Sequence, residues 1–296
     1  MRIAHVSDVH LFSLEGASVA DFLNKRWSGG LNLLVNRGQK YRADVFDALV
    51  DDMNRQPLDH VACTGDITNL ALPGEFKYAR ERFDRFALGP TQVTCIPGNH
   101  DNYVAEGRGL FEDAFAPFCA ADPEWAWPSG PRWPIVRLRG EVALIGLSTS
   151  VPTTYLMGWG ALGDEQLARL EQVLVDPRLG DRFRLIMLHH PAAGRYAASR
   201  RRGLHDHQAF AAVLARAGAE LVLHGHEHQD LHHALPGPGG KPIPVDGVQA
   251  GSYGGSREKL RARYRVYEIA SRGGPRPEVV SVGMRGWQGS GFAAVS

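Results

Sequence analysis

Leu221-Val222-Leu223-His224-Gly225-His226-Glu227-His228 carries the fold and the chemistry in one stretch. A short apolar run followed by a polar motif suits a strand of an α/β fold. It runs directly into three histidines, so whatever they do is done at a strand end. In open α/β sheets, ligands bind in the crevice beyond the strands' carboxyl ends.

The same pattern recurs outward along the chain. Apolar runs at Ile3 to Val6, Val61 to Cys63, Val93 to Ile96 and Leu185 to Leu188 each lead into a polar motif. In order these are Asp8-Val9-His10, Thr64-Gly65-Asp66, Pro97-Gly98-Asn99-His100-Asp101 and His189-His190-Pro191. A further run, Val142 to Leu147, ends at no such motif. Helical patterns at 19–36, 41–55, 75–87, 107–119, 163–174 and 206–217 alternate with the runs, which places the chain in the α/β class. Leu167, Leu170, Val173 and Leu174 at three- and four-residue spacing mark the fifth of these as scaffold. Beyond about residue 232, extended runs at Ile243 to Val248 and Tyr264 to Ile269 are expected to complete a sheet. The 296 residues are read as one domain over 1–288 with a helical insertion at about 11–42, and the small residues 289–296 as a mobile tail.

Thirty-three Lys and Arg against 32 Asp and Glu leave a net charge of +1, which gives no global drive toward nucleic acid or a membrane. No apolar run reaches the ~18 residues of a membrane-spanning helix, and no signal core precedes the first run, so a soluble cytoplasmic protein is expected. Cys63, Cys95 and Cys119 are odd in number and unpaired in spacing, as suits reduced packing residues. Nothing in the sequence fixes the oligomeric state.

Each motif has a plain reading and a chemical one. Asp8 and His10, two apart in an extended segment, project to one side and can share a cation, or they are a strand-end turn. Gly65 permits a tight turn that delivers Asp66. Asn99, His100 and Asp101 offer an amide oxygen, an imidazole and a carboxylate in succession after a Pro-Gly turn. Five histidines at two strand ends are hard to explain as packing. Imidazole suits zinc, iron and manganese, and carboxylates add tolerance for harder ions, so a mixed nitrogen and oxygen metal site is implied.

Taken in this order, the motifs resemble those of the calcineurin-like metallophosphoesterases: Asp-x-His, Gly-Asp, Gly-Asn-His-Asp, His and Gly-His-x-His, over about the first 230 residues. Members similar in kind include class III cyclic nucleotide phosphodiesterases and UDP-2,3-diacylglucosamine hydrolases. The resemblance implies a four-layer α/β/β/α sandwich with two mixed β-sheets. It implies one metal on Asp8, His10, Asp66 and His228, and a second on Asp66, Asn99, His189 and His226, with Asp66 bridging. His190 and His224 are then supporting residues. Two divalent or mixed-valence ions (Mn, Fe or Zn) about 3.5–4 Å apart would lower the pKa of a bound water and supply hydroxide for in-line attack on phosphorus. His100 resembles the family's phosphate-contacting or leaving-group histidine. Many relatives carry Asp three residues after the bridging carboxylate, where this chain has Asn69; an amide there orients His100 without adding charge, which points to good leaving groups.

The expected substrate is a small-molecule phosphodiester, with a phosphomonoester or a UDP-2,3-diacylglucosamine-like pyrophosphate as the alternative. An inactive metal-binding protein of the same fold is the reading from another class. The segment 19–42 joins Phe22, Leu23, Trp27 and Leu31 to Lys25, Arg26, Arg37 and Arg42: either a core helix with a basic edge, or a lid touching lipid or a membrane surface. Arg195 and Arg202, in the loop after His189, are candidates for a second phosphate.

Overall fold

The computed structural model describes residues 1–27, 40–129 and 132–295. Twelve strands among the described residues form two mixed six-stranded sheets. The first runs β12 (Phe292–Val295), β11 (Glu278–Trp287), β10 (Arg263–Ala270), β1 (Arg2–Val6), β2 (His60–Cys63) and β3 (Val93–Cys95). The second runs β4 (Ile135–Arg139), β5 (Val142–Gly146), β6 (Phe183–Met187), β7 (Leu221–His224), β9 (Pro242–Gly247) and β8 (Leu231–Pro236). Strands β1, β2 and β3 are mutually parallel, as are β5, β6, β7 and β9. Both edges of the second sheet and the β12 edge of the first are antiparallel, while β3 closes the other edge of the first as a parallel strand.

Side-chain alternation sorts the layers. In β5 and β6, Val142, Leu144, Phe183, Leu185 and Met187 join one core with β1, β2 and β10, while Ala143, Ile145 and Ile186 join the other. The first core is the seam between the sheets, extended by α1 (Ala43–Asn54) and α2 (Pro73–Phe83) over the first sheet. The second lies under α5 (Asp164–Leu174) and α6 (His207–Ala217). Helix, sheet, sheet and helix therefore stack in four layers, as expected. Burial on both faces is why these strands read as unbroken apolar runs.

Three expectations change. The pattern at 107–119 is two short helices, α3 (Leu110–Ala114) and α4 (Ala116–Cys119), because Gly109 takes a left-handed φ of 89° and Pro117 opens the second. The expected helix 19–36 is, in its described part, a 3-10 turn at Val19–Phe22 and helical backbone only at Arg26 and Trp27, and 28–36 lie outside the described residues. The tail expected to be mobile pairs instead as β12 on β11, with Phe292 buried against Trp287 and Tyr264. Small residues such as Ala293 and Ala294 carry no pattern, so a strand fixed by hairpin pairing leaves little trace in sequence. No helix among the described residues is long and apolar enough to cross a membrane.

Candidate metal centre

The motifs converge because the segments beyond the strand ends bond to one another. The Asp8 N–H donates to Gly65 O at 2.9 Å and the His10 N–H to Asp66 O at 3.0 Å, locking the first motif to the second. The Gly225 N–H donates to His189 O at 3.1 Å, locking the fourth to the fifth. The two sheets meet at Asp8, whose carboxylate accepts the His226 N–H at 3.0 Å. Asp8 and His10 are not extended, as the spacing suggested. Both are left-handed, with φ of 54° and 45°, and Asp66, His226 and His228 share that region at 53°, 72° and 52°. Five of seven candidate ligands thus hold a backbone conformation costly for residues other than glycine, a strain that persists where function over-determines it.

Asp8, His10, Asp66 and His228 present ligand atoms within 4.8 Å of one another, and so do Asp66, His189 and His226. Asp66 belongs to both groups, with Oδ1 3.4 Å from His189 Nε2 and Oδ2 3.8 Å from His10 Nε2. Asn99 Oδ1 lies 3.2 Å from His189 Nε2, which brings the seventh residue in. Ring nitrogens face one another, His10 Nε2 to His228 Nε2 at 3.2 Å and His226 Nδ1 to His189 Nε2 at 3.3 Å. Buried lone pairs and carboxylates aimed at a common space repel unless cations sit among them. The donor set therefore fits a dinuclear divalent centre. Glycines keep the space open: a Cβ on Gly98 would stand 2.2 Å from Asp66 Oδ1, and one on Gly225 1.9 Å from Ser7 Oγ.

Electrostatics follow from this crowding. Burial alone would raise the carboxyls of Asp8 and Asp66, but His228 beside the first and His189 beside the second hold both below the ordinary carboxylate range. Burial opposes protonation of His189, yet Asp66, with Asp8, raises it to about 9. Burial, with His190 and His189 close by, drops His226 well below its usual value, ready to ligate as the neutral ring. His190 is lowered to about 3 by burial and His189. It is held by Thr149 Oγ1 and Gly158 O, in the supporting place expected for it.

His100 stands at the edge, its ring perpendicular to His10 at 5.0 Å and stacked on Tyr103 at 5.3 Å. Its Nδ1 bonds to Asn69 at 2.6 Å, but the acceptor is the main-chain carbonyl. The Asn69 amide points the other way, donating from Nδ2 to His10 O at 2.6 Å. That corrects the expectation that the side chain orients His100: the amide braces the turn that carries a candidate ligand. Arg202 does reach the rim, donating to His226 O at 3.2 Å. Arg195 does not join it; its guanidinium lies over the Tyr196 ring and bonds to the Tyr196 hydroxyl.

Within 19–27 the backbone is a 3-10 turn at Val19–Phe22 and turns helical at Arg26 and Trp27, and its burial is not that of a core helix with a basic edge. Leu23 and Trp27 are exposed while Arg26 is buried, donating to Leu70 O and Ala71 O at 2.8 Å. Lys25 spans to the loop 153–157, bonding Thr153 Oγ1 and Met157 O, and burial lowers its pKa to about 8. Residues 28–39 of the expected lid lie outside the described residues. Two participants escape the sequence reading: Tyr41, outside the motifs, whose hydroxyl is 2.6 Å from His228 Nδ1, and Thr64, inside the second motif, which acts through its main-chain carbonyl and accepts His189 Nδ1–H at 2.7 Å. Tyr41 stands in the basic segment but in no recognisable pattern.

Comparison with known proteins agrees with the geometry. A glycerophosphodiester phosphodiesterase, GpdQ, of Enterobacter lignolyticus is 29% identical over 196 residues, 64% of this chain and 57% of that protein. The match thus spans little more than half of the relative's length. A dimetal phosphatase from Danio rerio superposes over 100% of this chain and 98% of its own, with TM-score 0.59 and 15% identity. A purple acid phosphatase from yellow lupin, Lupinus luteus, superposes over 100% of this chain and 52% of its own, with TM-score 0.56 and 12% identity. These two likenesses show the fold. The family model for calcineurin-like phosphoesterases matches residues 1–230, from β1 past the last candidate ligand, and the chain belongs to that family.

Proposed function

We propose that the chain hydrolyses phosphodiester bonds of small molecules at a dinuclear centre of Mn, Fe or Zn. The observation that carries the reading is Asp66, whose two carboxylate oxygens face two separate ligand groups. Asp8, His10, Asp66 and His228 would hold one cation, and Asp66, Asn99, His189 and His226 the other. When bound, such a pair supplies positive charge to the phosphoryl oxygens and an activated water.

The remaining work falls to the chain itself. Asn69 O fixes the Nδ1–H tautomer of His100, so a proton offered to substrate comes from Nε2 of the imidazolium. A neutral carbonyl stabilises that cation less than a carboxylate would, which favours substrates whose leaving group needs little protonation. Arg202, half-exposed and bonded to His226 O, would meet a second anionic group, whereas Arg195, bonded to the Tyr196 hydroxyl, would not. The name of the Enterobacter relative favours a diester over a monoester.

A second reading has its own observation. Leu23, Trp27, Tyr155 and Leu156 are exposed on the two segments that Lys25 ties together at the rim, so a diester with an apolar substituent would find a surface there. Hydrolysis of bis(p-nitrophenyl) phosphate, p-nitrophenyl phosphate, a cyclic nucleotide and a lipid-bearing diester, each with Mn²⁺, separates the readings. Faster turnover of diesters than of the monoester is expected, with Asp66→Ala inactive. Metal binding without turnover of any of them would mean an inactive binding protein instead.

A further inference from the structure

We propose that Tyr41 is a positioning residue that sets the tautomer of His228 and thereby the affinity of one of the two metal positions. The inference rests on the dinuclear reading above. His228 Nε2 points into the centre, 3.1 Å from Asp8 Oδ1 and 3.2 Å from His10 Nε2, so it is the ligating atom. Its Nδ1 must then carry the proton and needs an acceptor on the far side of the ring. The Tyr41 phenol oxygen is there at 2.6 Å.

The other histidines show why this contact differs. His189 gives its Nδ1–H to Thr64 O, a carbonyl that can only accept, so the tautomer is fixed whatever the centre holds. A phenol both donates and accepts. With no cation, Tyr41 O–H can donate to Nδ1 while Nε2–H donates to Asp8 Oδ1. Metal binding requires the reverse, Nδ1–H donating to the phenol oxygen and the Nε2 lone pair turned inward. The same short contact serves both states, so His228 is held in place through the exchange.

Tyr41 is itself firmly placed. It forms a β-bridge with Tyr253, its ring meets the Tyr253 ring edge-on at 5.7 Å, and the Arg42 N–H donates to Ser252 O at 3.0 Å. The ring also packs edge-on against His10 at 4.9 Å. Phenylalanine would keep these ring contacts and remove only the hydroxyl.

The test uses holoenzyme loaded with Zn²⁺, challenged with increasing chelator, with metal retained per chain measured for wild type, Tyr41→Phe and Tyr253→Phe. The expected result is that Tyr41→Phe releases one ion about 10- to 100-fold more readily and the other as wild type does, with Tyr253→Phe unchanged. The His228 Nδ1 proton resonance of the Zn²⁺-loaded protein should move in Tyr41→Phe alone, which a merely structural role would not produce. Unchanged release of both ions in Tyr41→Phe overturns the inference. So does equal weakening of both with a lower melting temperature, which would place the hydroxyl's effect in the fold. A wild type that retains no pair of ions would instead overturn the dinuclear reading itself.

Discussion

Gly225 has no room for a methyl group. Its missing Cβ would lie 1.9 Å from Ser7 Oγ and 2.5 Å from Asp8 Oδ2, so Gly225→Ala must push apart the strand ends that carry Asp8 and His226. Overpacking of this kind costs about 1–3 kcal/mol. We expect a lower melting temperature and a larger loss of metal affinity than Gly291→Ala causes in open space with an ordinary φ, measured by calorimetry on both. Asn69 shows the limit of motif arithmetic at this scale. Its offset from Asp66 places it beside His100, but offset does not say which of its atoms does the bonding. Because Nδ2 donates to His10 O, Asn69→Asp would set a carboxylate against a carbonyl. The expected result is a destabilisation of about 1–3 kcal/mol with no upward shift of the basic limb of the pH-rate profile. A clear upward shift would return the side chain to His100.

At the scale of elements, the connection after β2 governs the edge of the centre. Residues 69–72 are gripped from both sides: Glu75 on α2 accepts the N–H groups of Asn69, Leu70 and Leu72, and Arg26 donates to the carbonyls of Leu70 and Ala71. Fully buried, Glu75 is raised from 4.5 to about 8 by burial, against the lowering effect of those three bonds. The folded chain then keeps a proton that the unfolded chain loses near pH 4.5. Stability from this group is therefore complete below that pH and drains away as pH climbs to about 8, on the order of 5 kcal/mol in all. Glu75→Gln, which does not titrate, should be less stable than wild type at pH 5 and close the gap toward pH 8 in denaturant melts. A gap independent of pH would contradict it. None of this was legible: Arg26 reads as part of a basic edge and Glu75 only as the first residue of a helical pattern, whereas their partners are main-chain groups that no side-chain pattern reports. Helices with strong three- and four-residue spacing, such as Asp164–Leu174, were legible because packing on a sheet demands that spacing.

For the whole molecule, the α/β class followed from apolar runs alternating with helical patterns, the four layers from the family resemblance, and the meeting place from motifs that all stand at strand ends. The strand order did not follow. β1 lies between β2 and β10, more than two hundred residues on, and pairing over that distance has no local signature. β12 went unforeseen for a different reason: it pairs locally with β11, but its small residues carry no alternation to mark a strand. The donor set was legible because convergent imidazoles and carboxylates cannot be spared for packing, while the left-handed turns that aim them were not.

The central claim is that this assembly makes one site with two cation positions sharing Asp66. Metal per chain, measured by mass spectrometry on protein equilibrated with Mn²⁺ or Zn²⁺ and desalted, tests it most directly. Two equivalents in wild type, falling to one or none in Asp66→Ala while that variant keeps its fold, are predicted. A single equivalent in wild type, or two retained in Asp66→Ala, would contradict the account.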